Sequence, residues 1–321
     1  MPTITETVIR AQFPYWQAAL QQSLPQINAR MVVVTGCGSS YYLAQTLACA
    51  FNAQGQSAIA VPGAEWARRP ECYLAESSDV LVIGLSRSGT TTETVQAITT
   101  SRARGWRTLA LSCEKGSPIL TAADTAVYLP TDAREGIVMS VSASPMLMAG
   151  LRMAGSALSD TVVSSAFKAM DVMDKGAAAL LPGRSHFVYL GAGINYGVAT
   201  EGSLKLQEMS LSYSQAYHPM EYRHGPISLI DARSLVVMLY SHETATEEAT
   251  LVADLQAKGA KVIGLNGPGD LGIPLGQTGP AAALAALPAL QLFGEKVALH
   301  KGINSETPRH LTKVVVLKEG H

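Results

Sequence analysis

Charge is scarce in this chain. Only 15% of its 321 residues are Asp, Glu, Lys or Arg, and 24 basic side chains nearly cancel 25 acidic ones. A net charge of −1 gives no general attraction for nucleic acid or for anionic membranes. No apolar stretch approaches the ~20 residues that a spanning helix needs. The N-terminus, MPTITETVIRAQFPYW, is polar and has no signal-peptide core. Four cysteines (Cys37, Cys49, Cys72, Cys113) lie in the first half without CxxC spacing, which reads as reduced thiols packed as small core residues. The seven histidines are scattered, with no HxxxH pair, so no metal is expected. A Walker lysine is missing too, which argues against a nucleotide triphosphatase. Gly36-x-Gly38 and Gly191-x-Gly193 fall short of the dinucleotide fingerprint, because Tyr41 and Tyr196 stand where the third glycine belongs. The expectation is a cytoplasmic protein with no metal, no organic cofactor, no nucleic acid and no membrane as partner.

What the chain has in quantity is hydrophobic residues, 47% of the total. Beside so little charge, this implies a large buried fraction that includes a subunit interface. Its length suits two domains. β-Branched apolar runs predict strands over 31–35, 80–84, 108–111, 126–129, 187–190, 235–240, 262–265 and 314–317. Helix-period segments over 42–52, 92–104, 145–158, 196–213 and 246–258 lie between them. Alternating strands and helices predict an α/β protein with doubly wound parallel sheets, and near-continuous apolar strands predict burial on both faces.

The pattern occurs twice. VVVTGCGSSYYLAQTLA (32–48) parallels FVYLGAGINYGVATEGSLKL (187–206), and LVIGLSRSGTTTET (81–94) parallels VVMLYSHETATEEA (236–249). The repeat divides the chain into 1–165 and 166–321, with the join between Ser159 and Arg184. The second copy has lost its glycine and gained Glu243, Glu247 and Glu248, so a phosphate cradle is expected in the first copy only.

Residues 82–98, VIGLSRSGTTTETVQAI, carry the strongest functional signal. An apolar strand stops at Gly84, six hydroxyl residues follow from Ser86 to Thr94, and a helix then begins. Strand, Ser/Thr turn and helix start together aim backbone N–H groups at an anion. The hydroxyls add donors without adding charge, which suits a phosphate that must bind and later leave. An N-cap alone needs one hydroxyl, not six.

Five blocks together resemble the tandem sugar isomerase (SIS) family of phosphosugar-binding domains, and most closely the isomerase half of glucosamine-6-phosphate synthases. They are GCGSSYY (36–42), SRSGTTTET (86–94), EGSLKLQEMS (201–210), EYRHGPISLID (221–231) and KGINSETPRHLTK (301–313). The resemblance covers nearly the whole chain. It implies two three-layer α/β/α, flavodoxin-like SIS domains related by duplication. It further implies a sugar phosphate as substrate and a homodimer. The synthases begin with a glutamine-hydrolysing domain; this chain starts Met1-Pro2, and the expectation is that it acts without one. Breaking a carbon–nitrogen bond is therefore expected over making one.

The resemblance assigns roles residue by residue. Ser39, Ser40, Ser86, Ser88 and Thr91 fall on phosphate-binding positions, and Arg87 either adds charge there or points outward. Cys37, Gly38, Val138, Ser140 and His310 fall where the sugar is held. Glu208 matches the proton-transfer base, with Lys205 and Glu201 beside it. Offsets of three and seven residues put these three on one helix face; a solvated surface pair would have the same spacing. His224, in the turn Arg223-His224-Gly225-Pro226, matches the histidine that opens the sugar ring from the neighbouring subunit. Lys313 matches a C-terminal lysine able to form a Schiff base with an open-chain ketose, which requires a neutral amine. The chain departs from the synthases in having Ser142 for lysine and His310 for asparagine, both changes near the expected sugar. A glucosamine-6-phosphate deaminase or isomerase is the leading expectation. A fructosamine-6-phosphate deglycase and a non-catalytic phosphosugar sensor stand as alternatives.

Overall fold

The chain builds two five-stranded, fully parallel sheets, seen in a computed structural model that describes residues 2–75 and 79–315. The first contains β1 (Met31–Gly36), β2 (Ala58–Pro62), β3 (Val80–Ser86), β4 (Arg107–Ser112) and β5 (Thr125–Tyr128) in the order β2-β1-β3-β4-β5. The second contains β6 (His186–Gly191), β7 (Ser214–Tyr217), β8 (Ser234–Leu239), β9 (Lys261–Leu265) and β10 (Leu271–Ile273) in the order β7-β6-β8-β9-β10. Strand for strand the orders are the same, so the sequence repeat is a repeat of topology. In each sheet the chain winds one way from the first strand and the other way from the third. That reversal creates a switch point between β1 and β3, and another between β6 and β8, where α/β sheets of this order bind ligands.

The central strands are buried along their length: every residue of β3 and of β8 is inaccessible or nearly so. Each valine, leucine or isoleucine so buried contributes about 1.5–3 kcal/mol. The strands that the periodicity did not predict, β2, β7 and β10, are all at sheet edges. AIAVP, SQAY and LGI are short and only partly buried, and nothing selects a long apolar run there. The strand expected over 314–317 does not form: Val314 and Val315 are irregular, and Val316 and Leu317 lie outside the described residues.

A helix over Gly279–His300 corrects the expectation about apolar stretches. Its 22 residues include an 18-residue window of mean hydropathy 1.3, enough by length and composition to cross a membrane. Yet 89% of that window is buried within the protein, against the helices Asp160–Gly176 and Ile194–Ser210. Being apolar on all sides, it has no period for a sequence reading to detect.

By compactness the described residues form two units. One joins residues 2–11 to 158–309 and holds the second sheet; the other joins residues 12–157 to 310–315 and holds the first. The N-terminal helix Ile4–Arg10 enters the former through Arg10, whose guanidinium lies 2.7 Å from Asp174. The helix Phe13–Gln21 enters the latter through Arg152, which donates to the carbonyls of Ala19 at 2.7 Å and Gln22 at 2.8 Å.

Candidate active site

In the first-sheet unit, β1 and β3 pair directly, Thr35 opposite Gly84. Their carboxyl ends therefore deliver residues 37–40 and 86–91 side by side at the switch point. Gly38 caps the helix Ser39–Ala53 with φ 54°, a conformation that favours glycine. No side chain caps this helix start, and no side chain caps the start of the helix Thr92–Ala103. Two uncapped helix N-termini thus flank the loop.

The hydroxyls of the loop organise one another. Gly89 N donates to Ser86 Oγ at 3.1 Å, Ser86 Oγ lies 3.4 Å from Thr91 Oγ1, and Thr90 donates to Ser88 Oγ from its backbone N–H at 3.3 Å and its hydroxyl at 3.1 Å. Ser39, Ser40 and Ser86 are buried, whereas Ser88 and Thr91 are half-buried. Cys37 Sγ lies 3.5 Å from Thr94 Oγ1, and burial pushes its thiol pKa up, so it remains a neutral wall. Gly89 is the tightest point. Its φ is +65°, and a Cβ there would sit 2.0 Å from Ser117 Oγ. Gly89→Ala is expected to lower stability by roughly 1–3 kcal/mol, read as a fall in the urea midpoint. It is also expected to abolish binding of inorganic phosphate in calorimetry.

Arg87 leaves this loop. Its guanidinium donates to the carbonyls of Gly136 (3.2 Å), Ile137 (2.9 Å) and Lys313 (2.8 Å), and stands 4.0 Å from the Glu135 carboxylate. Glu135 is a residue to which the sequence reading gave no role. Its buried carboxylate accepts from Ser140 N at 2.6 Å and Ser142 N at 3.1 Å. An acid in an otherwise apolar segment, EGIVMSV, was the available signal. Val138 and Ser140 are buried on the same loop. Lys313 Nζ donates to Glu135 O at 2.7 Å. His310 is exposed, with φ 66°.

The other expected catalytic residues fall in the second-sheet unit. The helix Ile194–Ser210 begins at Gly193, φ 53°, the counterpart of Gly38. Its Glu201 and Lys205 are both wholly inaccessible, while the Glu208 side chain keeps 20% exposure. Lys205 Nζ lies 3.5 Å from Glu201 Oε1 and donates to Glu208 Oε2. Burial removes the surface-pair reading: one ammonium is held between two carboxylates, and only Glu208 reaches solvent. His224 is exposed, and its backbone N–H donates to Glu221 O at 3.0 Å.

The second switch point holds a cavity of about 450 Å³ lined by Asn195, Tyr240, Ser241, His242, Glu243 and Asn266 among others. With Met238 opposite Leu190 as Gly84 is opposite Thr35, Tyr240 and His242 occupy the places of Ser86 and Ser88. The buried Glu248 carboxylate accepts from Ser241 N and from Thr244 Oγ1, each at 2.8 Å. An internal carboxylate thus takes a loop N–H group at the second switch point. Among the described residues no three His, Cys, Asp or Glu side chains gather as a metal site.

Two flavodoxin-like sheets, one carrying a hydroxyl-lined loop and the other a buried Lys205 between Glu201 and Glu208, define an α/β protein of the phosphosugar-isomerase type. The chain belongs to the SIS domain family, which matches residues 27–157 and 180–269. It is 29% identical to the glutamine–fructose-6-phosphate aminotransferase (isomerizing) of Pyrobaculum aerophilum, over 91% of this chain and 52% of that one. The enzyme of the same name from Halobacterium salinarum is 29% identical over 75% of this chain and 44% of its own. The chain thus spans about half the length of these relatives. Among solved structures, glucosamine-6-phosphate deaminase of Thermotoga maritima superposes with a TM-score of 0.88 at 29% identity, covering 98% of this chain and 100% of that one. Tagatose-6-phosphate ketose/aldose isomerase of Escherichia coli shares the fold, with a TM-score of 0.81 at 22% identity, covering 99% of this chain and 97% of that one.

Proposed function

We propose that the chain is an enzyme of sugar-phosphate chemistry that deaminates and isomerises an amino-sugar 6-phosphate, glucosamine 6-phosphate above all. The observation that carries this reading is the buried Lys205 between Glu201 and Glu208, with Glu208 alone reaching solvent. A carboxylate held by a buried cation and open on one side is a proton acceptor in a fixed place. A purely structural ion pair gains nothing from that opening.

In this reading the hydroxyl loop 86–91, with Ser39 and Ser40, anchors the phosphate, and the sugar opens to its free aldehyde. Glu208 takes the proton from C2 and returns it to C1, while the aldehyde oxygen O1 gains a proton and the C2 amine loses one, so that C1 becomes a hydroxymethyl group and C2 a ketimine. Water then adds to the ketimine carbon and ammonia leaves, giving fructose 6-phosphate. One water is consumed for each ammonia released. Anchoring the phosphate lets remote binding energy hold the reacting carbons in place. His224 is assigned to ring opening across a homodimer interface. Its exposure is consistent with a role against a partner subunit. The setting we propose is cytoplasmic.

Incubation of the purified protein with glucosamine 6-phosphate is expected to release ammonia and fructose 6-phosphate in equal amounts. Silence toward this substrate, with turnover of fructoselysine 6-phosphate, would make the protein a deglycase. Silence toward both, with sugar phosphate bound, would leave a sensor.

A further inference from the structure

Arg87 sits between Ser86 and Ser88, yet its charge is spent away from the loop. Its own carbonyl accepts from Cys113 N at 3.1 Å and Ser112 Oγ at 3.3 Å, which fixes the backbone at this point. Its side chain, 11% exposed, then crosses to the segment around Glu135 and to the C-terminal segment. Three carbonyls receive its N–H groups: Gly136 at 3.2 Å, Ile137 at 2.9 Å and Lys313 at 2.8 Å. The Lys313 ammonium closes the ring by donating to Glu135 O at 2.7 Å.

We propose that Arg87 is a positioning residue, which clamps the backbone of Lys313 to the phosphate loop and so fixes where the Lys313 amine begins its reach. The inference rests on the sugar-phosphate reading for its kinetic consequence, but not for the clamp itself. Only a guanidinium satisfies the geometry. It offers five N–H donors in a rigid fork, whereas glutamine offers two on one nitrogen and lysine a single compact charge. Arginine also supplies the cation 4.0 Å from the Glu135 carboxylate, which is otherwise held by neutral donors. The phosphate cradle is thereby left to hydroxyls and backbone N–H groups. One side chain then joins two jobs, since anchoring the phosphate and placing Lys313 depend on the same short loop. A residue that bound the phosphate directly would act on affinity, whereas a clamp acts on the geometry of the reacting end.

Two measurements on Arg87→Gln and Arg87→Lys separate these roles. Hydrogen exchange of the backbone amides over 310–315, with no ligand present, is expected to speed up at least about tenfold in both variants. Steady-state kinetics with glucosamine 6-phosphate should show kcat lower by about tenfold or more and KM within about threefold of the parent. In a Lys313→Ala background, Arg87→Gln should cost nothing further in kcat, because the two act through one element. Arg87→Lys keeps the charge near Glu135, so it guards against a variant that merely misfolds. Unchanged exchange over 310–315 overturns the clamp, whether or not the protein turns over any sugar phosphate. A rise in KM at constant kcat also overturns it, and returns Arg87 to phosphate binding. Absence of turnover in the parent chain removes the catalytic reading alone, since the exchange experiment still decides the clamp.

Discussion

Turnover of glucosamine 6-phosphate by a Glu208→Gln variant is expected to fall by roughly 10²–10⁴-fold, with sugar-phosphate affinity within about threefold of the parent. Glutamine has the shape of glutamate and still offers an oxygen to the Lys205 ammonium, which now donates to Glu208 Oε2. The helix therefore keeps its packing, and the loss isolates proton transfer. An amide cannot accept the C2 proton, and the other two charged groups of this set cannot replace Glu208 from solvent: Glu201 and Lys205 are inaccessible. Calorimetry with the unreactive phosphosugar sorbitol 6-phosphate should give the same affinity for parent and variant, because the hydroxyl loop is untouched. A variant with parental kcat would remove Glu208 from the chemistry and the deaminase reading with it.

The contrast between what the sequence disclosed and what it did not follows from the range of the interactions. The central strands announce themselves because both faces are buried and each residue must be apolar; MVVVTG and VLVIGLS admit little else. The edge strands β2, β7 and β10 are specified by pairing with a neighbour already in place, which leaves no local mark. The helix Gly279–His300 is equally silent, since burial on every side replaces a stripe with a uniform run of Ala and Leu. In the site the same division holds. The hydroxyl loop is legible because six donors crowd into nine positions. The Glu201–Lys205–Glu208 spacing is legible too, but its meaning depends on burial, which the Gly, Ser, Leu and Met content only suggests. Arg87 is different. Its partners lie 49, 50 and 226 residues along the chain, so nothing in SRSGTTTET could decide between a cation in the loop and one that points outward. Glu135 escapes for a related reason: its carboxylate serves N–H groups five and seven residues ahead, through a loop with no regular period.

Stability provides the second large effect. Lys205→Met is expected to lower the free energy of unfolding by about 3–5 kcal/mol, because it leaves buried carboxylate charge without a cation. Methionine approximates lysine in length and volume, so the loss is electrostatic rather than a cavity. The helix Gly279–His300 lies close to the backbone at this position, since a Cβ on Gly294 would lie 3.3 Å from the Lys205 backbone. Glu201, wholly buried, would then share its surroundings with Glu208 and no ammonium. The double variant Lys205→Met/Glu201→Gln removes the more deeply buried charge and should recover most of the urea midpoint. Glu208 can still face solvent in that protein, so recovery of the fold need not bring recovery of turnover. If the double variant regains stability but stays more than about 100-fold below the parent in kcat, Lys205 acts in the chemistry by holding Glu208 or the developing charge. If turnover returns with the fold, Lys205 is only the counter-charge that lets two carboxylates occupy one buried helix face. A single variant as stable as the parent would refute the buried ion-pair account itself.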